Sequence, residues 1–225
     1  MTAMRIWDLP TRLFHWCFAA CIVGAYVSVK LGGLYMDWHV RFGLAALGLV
    51  IFRVVWGFIG PRHARFCSFV RGPGAVLAYL RELAAGTARS AGHNPLGALS
   101  VVAMLADLGA QAVLGLFTSD DVMVQGPLYN FVSESTSSLL TSLHRANEWI
   151  IIALVVLHLL AVAWHTHKKE PLVRAMVTGD MPADHLPGQA QASTDTAGVR
   201  LRALALAVIV AIFVLWIRSL GAAAA

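Results

Sequence analysis

The sequence predicts an all-α integral membrane protein, and its composition and patterning carry the prediction. Hydrophobic residues make up 58% of the 225 positions and charged residues only 13%, a balance outside the range of ordinary globular domains. The apolar residues gather into five continuous stretches, each close to the roughly 20 residues that a helix needs to cross a bilayer. The basic residues responsible for the net charge of +5 are distributed among the connections between these stretches. Their distribution indicates membrane topology rather than nucleic-acid binding.

Three segments follow from these stretches. Residues 1–178 are predicted to form a membrane domain, and residues 200–225 a C-terminal transmembrane helix. Residues 179–199, rich in Pro, Gly, Ala and Thr, are predicted to be a flexible cytoplasmic linker. The first four spans are residues 13–31, 40–59, 95–117 and 144–165.

Two further segments need a separate argument. The first apolar run is longer than the core of a signal peptide and has no clear small-residue cleavage site, so it is interpreted as a span. Pro73 predicts the start of a short helix, about residues 73–85, whose apolar residues share one face. Such a helix is expected to lie on the membrane surface.

The distribution of Lys and Arg predicts the orientation, because short cytoplasmic loops are enriched in both. The segment after span four carries Lys168, Lys169 and Arg174. The segment between spans two and three is also basic, with Arg62, Arg65, Arg71, Arg81 and Arg89. The segment between spans three and four instead carries Asp120, Asp121 and Glu134, with no Lys or Arg before Arg145. We therefore expect a multi-pass protein of the bacterial inner membrane with its N-terminus, which carries Arg5 and Arg12, in the cytoplasm.

Two histidines in span four predict the cofactor. His144 and His158 are fourteen residues apart, so on a helix they lie within roughly 40° of each other and about 21 Å apart along the axis. One face of the helix therefore presents an imidazole near each side of an apolar layer about 30 Å thick. This arrangement can hold two haems.

Membrane depth assigns each of these histidines a partner. His15 lies near the cytoplasmic end of span one and pairs with His158, whereas His39 begins span two on the periplasmic side and pairs with His144. Two neutral imidazoles per iron are typical of a low-spin, electron-carrying haem. Helix–helix hydrogen bonding is the alternative for any single histidine, but four at matching depths are hard to explain by packing. His165 is the main rival to His158.

Other polar residues give weaker hypotheses. Arg12, Arg41 and Arg145 are expected to bind haem propionates, a quinone head group or a small anion, with a positive-inside anchor as the alternative for Arg12. Asp107 and Glu148 indicate a proton path, a quinone site or pairing within the bundle. His93 is expected to act at a helix start or on a propionate or quinone. The remaining histidines are expected to be solvated: His63, His167 and His185.

The chain contains three cysteines and no C-x-x-C-H motif, so the predicted haem is b-type, held without covalent attachment. Cys17 and Cys21 fall within span one and are interpreted as small packing residues, and Cys67 is expected to be unpaired in the cytoplasm. The cysteines therefore give no indication of a disulfide or an iron–sulfur cluster.

Several motifs together resemble one family. They are W-D-L-P-T-R-L-F-H-W near the N-terminus, G-P-R-H-A-R-F and G-H-N-P-L-G around the cytoplasmic loop, and the two histidines of span four. In this combination, residues 5–178 resemble the bacterial cytochrome b561 and nickel–iron hydrogenase cytochrome b family. The resemblance implies a four-helix bundle with two haem b groups, and it matches His15, His39, His144 and His158 as iron ligands. The fifth span extends beyond the four-helix pattern.

The predicted function is electron transfer across the membrane between the quinone pool, ubiquinone or another quinone, and a periplasmic redox partner in a respiratory chain. The family resemblance leaves two alternatives: a superoxide:quinone oxidoreductase, or the cytochrome b anchor subunit of a hydrogenase or of a cytochrome c-linked complex. Whether the chain is itself an oxidoreductase or only an electron-carrying subunit stays open. A transporter that uses intramembrane histidines is the third class, and it predicts no haem absorbance.

Overall fold

The computed structural model describes residues 3–88, 90–120 and 124–223. Arg89 and Asp121, which entered the topology argument, lie outside the described residues. Five helices of the described chain are long and apolar enough to cross a membrane, and strand is confined to two three-residue segments. The prediction of an all-α membrane protein with a fifth C-terminal span is confirmed.

The long helices are α1 (Leu9–Leu31), α2 (Met36–Ile59), α5 (Pro95–Gly115), α6 (Glu134–His167) and α8 (Ala197–Ala223). The shorter elements are β1 (Ala3–Arg5), α3 (Phe66–Phe69), α4 (Pro73–Ala84), α7 (Leu172–Thr178) and β2 (Asp180–Pro182). Helix α4 begins at Pro73, where the missing amide hydrogen of proline costs no helical hydrogen bond.

Helix α6 begins at Glu134, well before the apolar boundary near residue 144 that the sequence predicts. Ser133 caps it, because its hydroxyl accepts a hydrogen bond from the Thr136 amide at 3.2 Å. The helix has 34 residues and is therefore about 51 Å long. It must extend beyond the roughly 30 Å apolar layer, and its polar first turns lack the hydropathy on which a span prediction depends.

The chain divides into two compact units. The first comprises Met1–Leu13, Arg53–Ala103 and Leu154–Leu204, and the second comprises Phe14–Phe52, Met104–Ala153 and Ala205–Ala225. Each has its own buried apolar residues.

The first unit is organised around the antiparallel pair β1–β2, in which Met4 is opposite Met181. The buried apolar side chains beside this pair are Ile6, Trp7, Ala175, Met181 and Leu186. Gly179 ends α7 with φ of +90°, and its carbonyl accepts hydrogen bonds from the amides of Ile6 and Trp7. A Cβ there would lie 2.7 Å from the Trp7 carbonyl oxygen, so both the backbone conformation and the close approach favour glycine.

The segment expected to be a flexible linker forms specific contacts with the N-terminus. Arg5 Nε donates to Asp180 at 2.6 Å, and Arg5 Nη1 donates to Asp195 at 2.8 Å. The Ser193 amide donates to the Arg5 carbonyl at 2.7 Å. Composition indicated flexibility, but a single arginine near the N-terminus contacts both ends of the segment.

The second unit contains two buried apolar clusters. One joins α1, α2 and α5 through Phe18, Ala46, Val50 and Leu108. The other joins α2 and α8 to the end of α5 through Leu44, Leu47 and Ile217 and through Leu116, the residue after α5. Gly24 lets α1 and α2 approach closely, because a Cβ there would lie 2.7 Å from the Phe42 ring.

Candidate haem-binding site

Two of the predicted ligands, His39 and His144, lie next to each other in the second unit. His39 is in the first turn of α2, and His144 is in α6. Their ring centroids are 6.0 Å apart and their planes are perpendicular. The structure therefore brings together the pair that membrane depth assigned to the periplasmic side.

Both imidazoles are oriented by backbone carbonyl groups. His39 Nδ1 lies 2.8 Å from the Ala25 carbonyl oxygen, and His144 Nδ1 lies 3.0 Å from the Gln111 carbonyl oxygen. A carbonyl oxygen only accepts hydrogen bonds, so Nδ1 is the protonated nitrogen in each neutral ring. The lone pair is therefore on Nε2, which is the state that a metal requires when Nδ1 donates to an outer partner.

The spacing of the two rings fits a metal ion between them. Two metal–imidazole bonds of about 2 Å, plus roughly 1 Å from each nitrogen to its ring centre, separate the centroids by about 6 Å. Among the described residues, no group of three or more His, Cys, Asp or Glu side chains can hold a metal ion. Two imidazoles alone are too few for a stable site, but they complete an iron whose other ligands come from a porphyrin.

Gln111 connects α5 to α6 beside His144. Its side-chain amide donates to the His144 carbonyl at 3.0 Å, while its backbone carbonyl accepts from the His144 ring. Asn147 in turn donates to the Gln111 side-chain oxygen at 3.1 Å. The sequence singled out Asp107 one turn earlier, but no spacing pattern indicates that Gln111 contacts His144.

Gly115 also lies against the His144 ring. A Cβ at this position would lie 3.1 Å from His144 Cε1, closer than ordinary van der Waals contact. Because Gly115 has no side chain, the His144 ring can pack directly against α5. The sequence contains Gly115 but does not indicate that the His144 ring packs against it.

Comparison with known proteins identifies the family of the chain. The family model of prokaryotic cytochrome b561 matches residues 6–179. The chain belongs to the prokaryotic cytochrome b561 family. Two relatives described as a probable Ni/Fe-hydrogenase B-type cytochrome subunit, from Azotobacter chroococcum mcd 1 and Azotobacter vinelandii, are each 27% identical to it. Each match covers 79% of this chain and 88% of the relative.

Family membership makes this chain a membrane b-type cytochrome that functions in electron transfer, and it implies haem b as the cofactor. The donor set at His39 and His144 fits that cofactor. Haem b is held only by axial ligands and packing, which agrees with the absence of the C-x-x-C-H motif from the sequence.

The other two predicted ligands of this cytochrome are on α1 and α6. His15 lies in α1, with its ring 4.9 Å from that of Trp16, and His158 lies in α6 and is partly buried. They belong to different compact units, and their pairing stays a prediction. The rival ligand His165 instead faces Glu170, with Nδ1 and Oε2 3.0 Å apart.

Two other histidines of this cytochrome are in packed surroundings. His63 was expected to be solvated, but it is 8% exposed, and its Nε2 contacts the Gln191 carbonyl oxygen at 2.8 Å. His93 precedes α5 and lies between aromatic rings, 4.7 Å from Trp7 and 4.5 Å from Phe69. His63 is buried because residues 179–199 fold back onto the chain.

The three arginines proposed for anion binding differ in their surroundings. Arg12 donates to the Val177 carbonyl at 2.5 Å, so it connects α1 to α7. Arg41 pairs with Asp37 at 2.6 Å and lies 5.1 Å from the Trp38 ring. Arg145 is exposed beside His144. Their proposed roles toward haem propionates or quinone stay predictions.

Two intramembrane charges have structural partners. Glu148 pairs with Lys30 at 2.5 Å. Among a proton path, a quinone site and pairing within the bundle, this contact favours pairing within the bundle for Glu148.

Arg53 is a buried cation that the sequence pattern did not indicate. It is 2% exposed and lies 4.9 Å from the Phe66 ring. Its terminal nitrogens have almost no accessible surface and no hydrogen-bond partner among the residues that the structure describes. The guanidinium also lies 6.0 Å from the Phe69 ring, and the charge of Asp8 acts on it, which favours a structural role for Arg53.

Proposed function

We propose that the chain is a di-haem cytochrome that carries electrons across the bacterial cytoplasmic membrane. The observation that carries the proposal is the His39–His144 pair, with a 6.0 Å centroid separation and both Nδ1 atoms bonded to carbonyl groups. These contacts leave both Nε2 atoms free to bind the same iron. The proposed orientation has the N-terminus in the cytoplasm and this pair on the periplasmic side.

Bound haem b supplies a reversible one-electron iron couple. His39 and His144 would hold this haem through Nε2, and with both histidines bound the iron would have no free site for a substrate. The carbonyl groups of Ala25 and Gln111 restrain the rings from rotation and favour the neutral tautomer. Such a site is suited to electron exchange at the haem edge rather than to chemistry on a bound substrate.

His15 and His158 are the proposed ligands of a second haem nearer the cytoplasmic side. The support is their depth in α1 and α6 and the spacing of His158 from His144, about 21 Å along the helix. Two centres on opposite sides of the apolar layer give electrons a path through it. A single centre on the periplasmic side would not.

The quinone pool and a hydrogenase are the proposed partners at the two ends of this path. Both Azotobacter relatives are described as probable Ni/Fe-hydrogenase B-type cytochrome subunits, and this supports a hydrogenase as one partner, which we propose at the periplasmic end. The function as a hydrogenase subunit is therefore the favoured form of the proposal.

A haem count on variants tests the ligands. We expect a pyridine haemochrome assay to find two haems per chain in the native protein and one in His39→Ala or His144→Ala. The reduced-minus-oxidised spectrum should keep a b-type band from the remaining centre. His15→Ala and His158→Ala should each remove the other haem.

The matched control is His167→Ala, which removes an exposed histidine from the same helix, α6. It should retain both haems. A native protein with one haem would contradict the second site, and an unchanged count in His39→Ala would contradict the first.

A spectroscopic assay tests the partners. In membranes that contain this chain and the hydrogenase of its own organism, hydrogen gas should reduce the b-type band, and a quinone added afterwards should reoxidise it. Membranes without the hydrogenase are the control. Reduction by hydrogen that is equally fast without hydrogenase would contradict the proposed partner.

A further inference from the structure

An apolar groove runs between α2 and α8 in the second unit. It encloses about 390 Å³. Gly48 lies opposite α8, because a Cβ there would lie 3.3 Å from Val214 Cγ2. The lining residues come from these two helices only: Arg41, Leu44, Ala45, Gly48, Leu49 and Phe52 from α2, and Ala207, Val210, Ala211, Val214, Leu215 and Arg218 from α8.

The two helices line the groove in antiparallel register. The groove follows α2 from Arg41 to Phe52 and α8 from Ala207 to Arg218, which is about 16 Å along each helix. That length is close to half of the roughly 30 Å apolar layer. The groove therefore matches the depth of one leaflet of the bilayer.

Cationic and polar groups gather at one end of the groove. Arg41 and Arg218 both line it, and within the described part of the chain only Arg41 has a carboxylate at salt-bridge distance, that of Asp37. A second cavity of about 290 Å³ shares Leu44 and Arg218 with the groove and is also lined by Gln125 and Asn130. Two guanidinium groups against one carboxylate leave this end with a positive charge.

The length of the groove and the positive charge at one end indicate which kind of molecule binds there. An apolar partner helix would leave the two guanidinium groups at this end without a counter-charge. A quinone head group is neutral and leaves the positive end without a counter-charge. An acyl chain with an anionic head group matches both the apolar walls and the arginines.

We propose that the groove binds an anionic phospholipid of the leaflet that the C-terminal end of α8 reaches. One acyl chain lies along α2 and α8, and the phosphate accepts hydrogen bonds from Arg218 and Arg41. The lipid then joins the fifth helix to the haem-binding domain. This inference is independent of the proposed redox partners.

Thermal stability in detergent tests the proposal. The purified full-length protein, stripped of lipid, is titrated with phosphatidylglycerol, phosphatidylcholine, glycerol 3-phosphate or ubiquinone. Phosphatidylglycerol should raise the Tm in a concentration-dependent manner, and the other three should not do so at equal concentration. Arg218→Gln should weaken the apparent affinity for phosphatidylglycerol at least about tenfold.

Each variant has a matched control on α8. Arg202→Gln removes an exposed arginine from the opposite end of the helix and should keep the native apparent affinity for phosphatidylglycerol. Ala211→Phe fills the groove and should abolish the Tm shift, whereas Ala205→Phe adds the same ring at an exposed alanine outside the groove lining and should preserve it. Haem content, measured on the same samples, separates misfolding from loss of lipid.

Four outcomes would overturn the proposal. They are equal shifts with phosphatidylglycerol and phosphatidylcholine, a native response in Arg218→Gln or Ala211→Phe, a shift with glycerol 3-phosphate alone, and displacement of phosphatidylglycerol by ubiquinone. The third outcome would indicate a free phosphate site. The fourth would assign the groove to quinone.

Discussion

At the scale of single residues, the proposed haem site at His39 and His144 depends on groups that would not touch the iron. His39 and His144 present Nε2 because two main-chain carbonyl groups, those of Ala25 and Gln111, bind Nδ1. These acceptors are backbone atoms, so substitution of Ala25 or Gln111 would not remove them. The position of the rings therefore depends on how closely the helices approach, and small residues at the contacts control that approach.

Gly115 is the residue at which this dependence can be measured. Gly115→Ala places a Cβ 3.1 Å from His144 Cε1, so the ring or α5 must move. We expect a shifted midpoint potential or a reduced occupancy of one haem, while the other keeps its native potential. Redox titration of the b-type absorbance measures both.

Gly43→Ala is the control for this substitution. It adds the same methyl group to a helical glycine of α2 that has no atom within 4 Å of the new Cβ. It should leave both potentials unchanged. Equal behaviour of the two variants would show that Gly115 does not control the position of His144.

Asp8 and Arg53 give a second prediction at this scale. Asp8 is fully buried, caps α1 through Thr11, and accepts a hydrogen bond from Trp56 Nε1 at 3.3 Å. Asp8→Asn retains a capping side chain but leaves the buried charge of Arg53 without this carboxylate. We therefore expect a lower thermal stability in Asp8→Asn, beyond the effect of a lost cap, and recovery of part of it in the double variant with Arg53→Met.

The measurement is the Tm of the four proteins in the cycle, monitored by haem absorbance and circular dichroism. Additive losses in the double variant would mean that the two residues are not coupled. In that case Arg53 would depend on its contact with the aromatic rings and not on Asp8.

At the scale of elements, hydropathy predicted the features that depend on the bilayer. The apolar spans and the depths of His39 and His144 follow from the requirement that a helix in lipid be continuous and apolar. The polar start of α6 could not be predicted in this way, because Ser133 and the first turns lie outside the apolar stretch. The contacts of residues 179–199 could not be predicted either, since they depend on Arg5, which is distant in sequence.

The ion pairs of Arg5 predict a dependence on pH. Burial on its own would raise the pKa of Asp195, but hydrogen bonds from Arg200 and the Leu9 amide, together with the charges of Arg200 and Arg5, hold it below its ordinary value. Because the folded pKa is the lower one, the stabilisation is present at neutral pH. It is lost as the pH falls below about 4, the ordinary value for Asp, and through the folded pKa.

Hydrogen exchange of the β1–β2 strands measures this effect. Protection should be high at pH 7, fall on acidification below about pH 4, and already be low at pH 7 in Asp195→Asn. The control Asp184→Asn changes an exposed aspartate of the same segment and should match the native protein. Protection in Asp195→Asn equal to that of the native protein would contradict the role of the pair.

At the scale of the whole molecule, an odd number of spans gives the termini opposite sides. The five candidate spans and the basic segments after spans two and four predict that the N-terminus lies inside and the end of α8 outside. In this predicted orientation His39 and His144 lie on the periplasmic side, so the orientation sets the side of the membrane at which each end of the proposed electron path would lie. The haem assignment and the topology can therefore be tested separately.

Reporter fusions test the topology directly. Alkaline phosphatase folds only outside the cytoplasm and green fluorescent protein, exported in unfolded form, fluoresces only inside it. A phosphatase fused after Ala225 should therefore be active, and one fused after Gly188, between α7 and α8, should be inactive. The fluorescent protein should give the opposite pattern.

Arg200 and Arg202 at the start of α8 favour retention of that end of the helix in the cytoplasm. Their replacement by Gln should therefore weaken the difference between the two fusion sites without removing haem. An active phosphatase at residue 188 in the native sequence would reverse the orientation and move His39 and His144 to the cytoplasmic side.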